Sequence, residues 1–456
     1  MTKVSFCGIS GSGMSALAQI LKLRGNEVYG SDRSFDQGKD EANKKALEEI
    51  GIVIKPQDGS AVADNLETLY VSTAVEDSIP DVKAALEKNI PIKKRSDLLA
   101  EIFHQYPYNI AVGGTSGKTT TTGMIGHILK EAGVDPSVIN GGIMLNYADS
   151  LGMGNIIAGN GAFCVIEADE SDGSIELYKP AVSIVTSISL DHKPVEELKV
   201  LFGDFVERAS VGAVLNADNA DTIALKDRNS NVLSFSVQGA DADLKAVNIA
   251  PVENGVRFML DGENVFLPVI GRHNVANALA AVAAAEMIGI PRNQALKALE
   301  SFKGIHRRLE TVGVTRKGIA VIDDFAHNPE KISAALSALK EYKGRLIVIY
   351  QPHGFKPTKI MRAGIVEAFD RLLSLDDTLI MQEIYYAGGT AQKDISSADL
   401  VKDLERTGKR VHFIPDRKKI ITLVKGLAAK GDRIVIMGAR DETLSDFARS
   451  IYEAVA

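Results

Sequence analysis

Along this chain short β-branched apolar runs alternate with amphipathic stretches of helical period, and the alternation holds for most of its length. That rhythm predicts parallel α/β sheets. A first block opens on the strand VSFCGI and runs through a helix with apolar positions Met14, Leu17, Ile20 and Leu21. It stops at Gly25 and returns as the strand EVYGSD, the spacing of a Rossmann-like βαβ unit. IVIKP, TLYVST and PIKKR extend the block, which finishes near Tyr106 and Pro107. A second block holds the strands AFCVIEADE, AVSIVTSI, AVLNA and VLSFSV. It turns β-rich between Ala242 and Leu267, with turn signals at Glu253-Asn254-Gly255 and Asp261-Gly262, and closes on a helix beginning near His273. After Arg308, GIAVIDDF, RLIVIY, TLIMQE, RVHFIP and DRIVIMGA alternate with five helical stretches. The expected organisation is an α/β protein of three domains. Residues 1–106 form a Rossmann-like domain, 107–308 a central P-loop domain with a parallel sheet and a small β-rich part, and 309–456 a second Rossmann-like domain.

Length agrees with this division, since 456 residues exceed one ordinary core and suggest roughly three domains. A formal charge of −7 and a pI near 5.7 argue against a nucleic-acid surface, which would carry a basic stripe. Cys7 and Cys164 lie in apolar runs and read as small buried hydrophobes, not as a disulfide framework. No basic leader or cleavage site follows Met1, and no window is long and apolar enough to span a membrane, so a reducing cytoplasm is expected. A monomer or homodimer is expected.

NIAVGGTSGKTTTTGMIGHIL, residues 109–129, joins an apolar strand, a glycine-rich turn, a lysine and a hydroxyl-rich helix start. Backbone N–H groups of Gly114, Thr115, Ser116, Gly117, Lys118 and Thr119 can converge on phosphate oxygens at a helix N-terminus. Lys118 adds a charge toward the β/γ end, and Thr119 or Thr120 a hydroxyl for Mg²⁺. The usual early glycine is replaced by Val112, so this is a compressed form of the motif.

Other constellations stand at strand ends. GISGSGMS places Gly8, Ser10, Gly11, Ser12, Gly13, Met14 and Ser15 after the first strand, with Asp32 about twenty residues on. Its GxxGxG spacing fits either a diphosphate on the helix start or a tight turn for packing. EADESDGS sets four carboxylates, Glu167, Asp169, Glu170 and Asp172, within six positions. Glu167 is placed to hold Mg²⁺ between phosphates, while the other three fit a solvated acidic loop equally well. Asp191 and His192 follow the next strand, the histidine as a metal ligand or proton acceptor. His273, Asn274 and Asn277 open a helix, where an Asn amide can pair with adenine or Asn274 can cap the helix. Arg307 and Arg308 can offer a guanidinium to a γ-phosphate or form a salt-bridged linker. Asp324, His327, His353, Lys356, Gly438 and Arg440 lie at strand ends of the third block and suggest a substrate rim.

Taken in order, GISGSGMS, GGTSGKTTTT, EADESD, DH, GRHNVAN, RR, DDFAHNP, QPH and MGA resemble the Mur ligases of peptidoglycan synthesis over the whole chain. The resemblance implies an N-terminal domain for a UDP-sugar, a central ATPase domain and a C-terminal domain for an amino acid or peptide. It implies ATP and Mg²⁺ as cofactors and an acyl phosphate intermediate on the lactyl carboxylate of UDP-N-acetylmuramate. The UDP-sugar site would use Gly8, Ser10, Gly11, Ser12, Gly13, Met14, Ser15, Asp32, Ser72 and Thr73. ATP would meet residues 114–120, His273, Asn274, Asn277 and Arg308, with Thr119, Glu167 and His192 on the metal. Lys118, His192, Arg307, Arg308 and His327 would be catalytic, and Asp324, His327, His353 and Lys356 would hold the acceptor. The glycine cluster and EADESDGS resemble the branch that adds L-alanine. RRLE and DDFAH are similar to the branch that adds the L-Ala-D-Glu-diaminopimelate tripeptide in cell-wall recycling. Both branches usually carry His at the position of Ser116, and the alanine-adding branch Asn at that of Ser187. These departures bear on the acceptor, not on the ATP chemistry.

Overall fold

The computed structural model describes residues 2–72, 75–148, 154–190, 193–386 and 392–456. Its elements gather into two units. One comprises Met1–Ile249, Arg257–Pro268 and His273–Ile305, the other Ala250–Val256, Val269–Arg272 and His306–Ala456.

The first unit opens with β1 (Lys3–Cys7), α1 (Ser12–Leu23), β2 (Glu27–Ser31), α2 (Arg33–Asp36), α3 (Glu41–Glu49), β3 (Val53–Ile54), β4 (Thr68–Val71), α4 (Pro80–Glu87), β5 (Ile92–Lys94) and α5 (Arg95–Phe103). The strands form a parallel sheet in the order β3-β2-β1-β4-β5, so the chain reverses direction across the sheet beside β1. In open α/β sheets ligands bind at the carboxyl ends of strands flanking such a reversal. α1 ends where the sequence predicts. Gly25 takes φ 87°, and the N–H groups of Gly25 and Asn26 donate to the carbonyls of Lys22 and Leu21, closing the last turn.

A second sheet follows in the same unit. It is built from β6 (Tyr108–Gly113), α6 (Lys118–Glu131), β7 (Ser137–Ile139), β8 (Ile156–Ile157), β9 (Phe163–Glu167), β10 (Val182–Val185), α7 (Val195–Glu207), β11 (Gly212–Asn216), α8 (Ala220–Ile223), β12 (Val232–Ser236) and β13 (Leu244–Lys245). Strand order is β13-β12-β11-β10-β6-β9-β7-β8, which puts β6 between β10 and β9 at the reversal. The β-rich stretch becomes β14 (Val247–Val252), β15 (Gly255–Leu260) and β16 (Glu263–Leu267), with Asp261 and Gly262 at φ 50° and 86° in the hairpin turn. α9 (Arg272–Met287) and α10 (Arg292–Leu299) complete the unit; α9 is alanine-rich and buried on nearly every face from Asn274 to Ala285. The two sheets share one apolar cluster, in which Phe103 of α5 meets Tyr178 edge-on at 5.7 Å.

The second unit contains β17 (Glu310–Val314), β18 (Ala320–Asp324), α11 (Pro329–Lys340), β19 (Leu346–Gln351), α12 (Phe355–Leu372), β20 (Thr378–Met381), α13 (Ser397–Glu405), β21 (Arg410–Phe413), α14 (Arg417–Leu427), β22 (Arg433–Gly438) and α15 (Leu444–Val455). Its sheet runs β17-β18-β22-β19-β20-β21, with an apolar cluster on either face. β17 is an addition to the expected pattern. It pairs antiparallel with β18 at the edge, because the chain reverses within the tight turn Thr315–Ile319 and leaves no room for a crossover.

One buried acid in the first sheet gives a test of this packing. Asp81 of α4 is fully buried; one carboxylate oxygen accepts from Gly59 N at 2.7 Å and the other from the Ser31 hydroxyl. Burial raises its pKa. For a raised carboxyl the stabilising contribution is present below the unfolded pKa and is lost as pH rises through the folded one. Asn keeps both bonds without a charge, accepting from Gly59 and donating to Ser31. Asp81→Asn is therefore expected to raise the melting temperature at pH 7, with the difference from wild type shrinking as the pH falls toward 4. Paired thermal melts check it.

Candidate functional site

The phosphate loop forms because two of its glycines occupy positions closed to any other residue. Gly114 leaves β6 at φ 125°, and a Cβ there would lie 2.2 Å from Thr186 Oγ1. Gly117 caps α6 at φ 90°, where a Cβ would stand 2.6 Å from Asn277 Oδ1. The segment after β10 then fastens the loop from the side. Thr115 N donates to Ser187 O at 3.0 Å, Ser116 N to Ser187 Oγ at 3.1 Å, and Thr186 Oγ1 to Ser116 O at 2.5 Å. Ser116 and Ser187, the two departures from the family pattern, are thus direct partners. A change at one alters the hydrogen-bonding needs of the other.

Lys118 and Thr119 begin α6 with accessible side chains, as does Thr120. Lys118 Nζ donates to Gly114 O at 2.7 Å and to both oxygens of Glu170, at 2.8 and 3.1 Å. Glu170 is 2% exposed, so this carboxylate is not part of a solvated loop. Thr119 Oγ1 donates to Glu167 Oε2 at 3.1 Å, and Glu167 Oε1 accepts from Gly141 N at 2.5 Å. Strand pairing produces that meeting, because Val112 of β6 is in register with Glu167 of β9. A hydroxyl and a carboxylate side by side at the loop suit Mg²⁺, which takes few protein oxygens and fills its octahedron with phosphate and water. Among the described residues no group of three or more His, Cys, Asp or Glu could hold a metal without such help. Asp191, His192 and Thr73 lie outside the described residues.

Asn274 and Asn277 are buried in the first turns of α9, whereas His273 is exposed. Asn277 Oδ1 accepts from Thr121 Oγ1 at 3.3 Å and its amide donates to Asn274 Oδ1 at 3.0 Å. One end of that amide thus ties α9 to Thr121 of α6 and the other to its own helix.

The glycine cluster lies at the carboxyl end of β1. Gly8 takes φ 85°, and a Cβ there would meet Ser72 Cβ at 3.3 Å and Val75 Cγ2 at 3.4 Å after β4. Asp32 secures the loop: it accepts from Ser10 N at 2.9 Å while capping α2 through Ser34 N at 2.9 Å. Gly11, Ser12 and Gly13 expose the start of α1. Met14 and Ser15 turn their side chains into the protein and can offer a ligand only backbone groups.

In the second unit the paired arginines divide. Arg307 is 6% exposed and takes φ 56°; its guanidinium donates to Asp323 at 3.2 Å, Gly438 O at 2.6 Å and Asp441 O at 3.4 Å. The γ-phosphate role foreseen for it is not what this geometry offers, since its donors are spent inside the sheet. Arg308 is exposed, lies over the Phe325 ring at 5.4 Å and keeps its charge at the surface. Asp324 is likewise committed, accepting from Leu309 N at 2.7 Å and Ala326 N at 2.8 Å. It shapes the rim rather than meeting an acceptor. His327 and His353 stack edge-on at 5.0 Å, and Lys356 is exposed at the start of α12. His327 Nδ1 donates to Phe325 O at 3.0 Å, which leaves Nε2 as the lone-pair nitrogen. Burial, reinforced by Lys331, His353 and Arg308, holds its pKa down at about 4. Burial and then Arg440 lower that of His353.

Three family models match the chain in sequence. The Mur ligase family catalytic domain covers residues 3–107, the Mur ligase middle domain 112–285, and the Mur ligase glutamate ligase domain 307–440. The chain belongs to the Mur ligase family. As a Mur ligase it is an ATP-dependent, ADP-forming enzyme, in line with the resemblance read from its motifs. Among curated relatives, the UDP-N-acetylmuramate–L-alanine ligase of Dictyoglomus turgidum is 35% identical over 96% of this chain and 94% of that protein. The enzyme of the same name from Phenylobacterium zucineum is 34% identical over 96% and 93%. Among solved structures, the UDP-N-acetylmuramate–alanine ligase of Thermotoga maritima superposes with a TM-score of 0.81 at 28% identity over 99% of both chains. A murein peptide ligase from Psychrobacter arcticus shares the fold, with a TM-score of 0.67 at 23% identity over 100% of this chain and 99% of that one.

Sequence reasoning left Glu170 undecided and passed over Thr186, because neither the bond to Lys118 nor the fit against Gly114 has a local signature. Two measurements separate structural from chemical roles here. Arg307→Ala strips the partner from buried Asp323 and is expected to cost about 3–5 kcal/mol in denaturant unfolding. Arg308→Ala is expected to leave unfolding unchanged and to lower turnover. In NMR titrations the His327 imidazole is expected to stay neutral until about pH 4.

Proposed function

We propose that this Mur ligase joins L-alanine to the lactyl carboxylate of UDP-N-acetylmuramate at the expense of ATP. The observation that carries the reading is full-length similarity to alanine ligases, spanning 96% of the chain at 34–35% identity. The ATP end is supported by Lys118 and the Thr119–Glu167 pair at the mouth of the phosphate loop.

The substrate carboxylate is a poor electrophile, and amide formation from it is unfavourable in water. A carboxylate oxygen attacks the γ-phosphorus, ADP departs, and an acyl phosphate forms. The amine nitrogen then attacks the acyl carbon, inorganic phosphate leaves, and the amine gives up a proton. Backbone N–H groups of Gly114, Gly117, Lys118 and Thr119 and the Lys118 ammonium hold the phosphates and offset charge on the transferring group, those of Thr115 and Ser116 being engaged by Ser187. Thr119, Glu167 and His192 would hold Mg²⁺, which when bound would neutralise charge on the phosphates. The lowered pKa of His327 keeps its Nε2 lone pair free to accept a hydrogen bond, and then the proton, from the incoming amine. Gly8, Ser10, Gly11, Ser12 and Gly13, with Ser72, form the UDP-sugar end. Free buried thiols at Cys7 and Cys164, whose pKa values burial pushes up to about 12, and the need for ATP support a cytoplasmic enzyme. Among the described residues no helix is long and apolar enough to cross a membrane.

ADP release measured with UDP-N-acetylmuramate and each of L-alanine, L-serine, glycine and L-Ala-D-Glu-diaminopimelate tests the reading. L-alanine is expected to give the highest kcat/KM; preference for the tripeptide would replace this assignment with the recycling ligase. His192→Ala is expected to bind ATP yet lose turnover by about 10²-fold or more. Normal turnover would remove His192 from the mechanism.

A further inference from the structure

The acidic loop after β9 is held at both ends by cations from different sheets. At one end Glu170 takes Lys118 of the phosphate loop, using both carboxylate oxygens. With Gly114 O also bonded, the three donors of the ammonium are all occupied, so a phosphate can engage Lys118 only by displacing part of this pair. At the other end Asp172 Oδ2 accepts from Arg95 Nη2 at 2.9 Å, each side chain being 23% exposed. Arg95 starts α5 in the N-terminal sheet and lies against the glycine cluster: a Cβ at Gly13 would meet its Cδ and Nη1 at 3.1 Å. A guanidinium is thereby set against the first turn of α1, which has no acidic residue of its own. Two positive ends face each other there, an arrangement that favours an anion.

Between its ends the loop is short and braced. Ser171 N donates to Asp169 Oδ1 at 3.0 Å, Ser174 N to Asp172 Oδ1 at 2.9 Å and Ile175 N to Asp169 O at 3.2 Å. These bonds tie Asp169 to Ser171 and Ile175 and Asp172 to Ser174, with Glu170 two residues from Asp172 in the same braced segment. The start of α1 has a second tie to the central sheet, since Asn155 Nδ2 donates to Ser12 O at 3.2 Å and Asn155 is buried.

We propose that Arg95 is a diphosphate-binding residue of the UDP-sugar site, and that its pairing with Asp172 couples occupancy of that site to the hold of Glu170 on Lys118. A diphosphate on α1 draws the guanidinium from Asp172, the loop relaxes, and Lys118 is released for the phosphates of ATP. Glu170 and Asp172 are positioning residues in this scheme, and the acidic loop itself holds no ligand. Because coupling of equilibrium affinities is reciprocal, ATP also tightens the UDP-sugar. The inference rests on the UDP-N-acetylmuramate reading above.

Calorimetric titration of the full chain with a non-hydrolysable ATP analogue, with and without saturating UDP-N-acetylmuramate, provides the test. Wild type is expected to bind the analogue more tightly in the presence of the sugar nucleotide, by a factor within the usual range of about 5- to 150-fold. Asp172→Asn, which frees Arg95 in advance, is expected to bind each ligand alone more tightly than wild type does, with the coupling factor near one. Glu170→Gln is expected to bind the analogue more tightly without the sugar nucleotide and to gain little from it. Arg95→Ala is expected to lose about tenfold in UDP-N-acetylmuramate affinity, with partial rescue by Arg95→Lys, which keeps the charge without the fork. Melting curves confirm that each variant is folded. Wild-type coupling retained in Asp172→Asn, absence of coupling in wild type, or unchanged affinity in Arg95→Ala overturns the inference alone. Failure of wild type to bind UDP-N-acetylmuramate overturns the functional reading and this inference with it.

Discussion

Gly114 turns the chain out of β6 through a conformation that leaves no space for a side chain, with Thr186 Oγ1 where a Cβ would be. The ATP end depends on that approach. It lets the loop lie flat against the end of β10, so that Thr115 and Ser116 donate to Ser187 and α6 starts with Lys118 and Thr119 open to a ligand. The register of β6 with β9 then brings Glu167 alongside Thr119 without any further device. Backbone conformation and strand pairing thus set the loop, Lys118 and the Thr119–Glu167 pair in place, and in the proposed reading such preorganised charge is what the site contributes to phosphoryl transfer.

Around this frame, hydrogen-bonding capacity separates the charges that shape the protein from those available to substrates. Arg307 and Asp324 have spent theirs on neighbouring backbone and side chains, and their burial makes those bonds costly to leave unmade. Arg308 and Lys356 are exposed. Lys118 falls between, accessible yet saturated by Gly114 and Glu170, so its availability depends on exchange of one anion for another. The same division separates the two neutral histidines, whose lowered pKa values follow from burial, from cationic ligands for a phosphate.

Much of the fold was legible in the chain because its signals are local. The strands VSFCGI, AVSIVTSI and DRIVIMGA became central strands, Gly25 closed its helix, and Asp261-Gly262 made its hairpin. β17 was missed because Glu310–Val314 is a short, half-buried edge strand without clean alternation, fixed by its pairing with β18. The phosphate loop and Glu167 were visible as motifs, whereas the bonds of Asn277 to Thr121 of α6 and to Asn274 had no signature in the sequence.

The sequence by itself determined the order of strands and helices, the glycines that must turn, and the set of motifs that identifies a Mur ligase. These follow from periodicity and from conformational preferences of neighbouring residues. Tertiary structure alone decided which arginine of the pair is buried, that Ser116 answers Ser187, and that Glu170 holds Lys118 while Asp172 holds Arg95. Those outcomes depend on which donors and acceptors meet across 52 to 131 positions of chain, and a side chain's chemistry is settled by the partner it finds there.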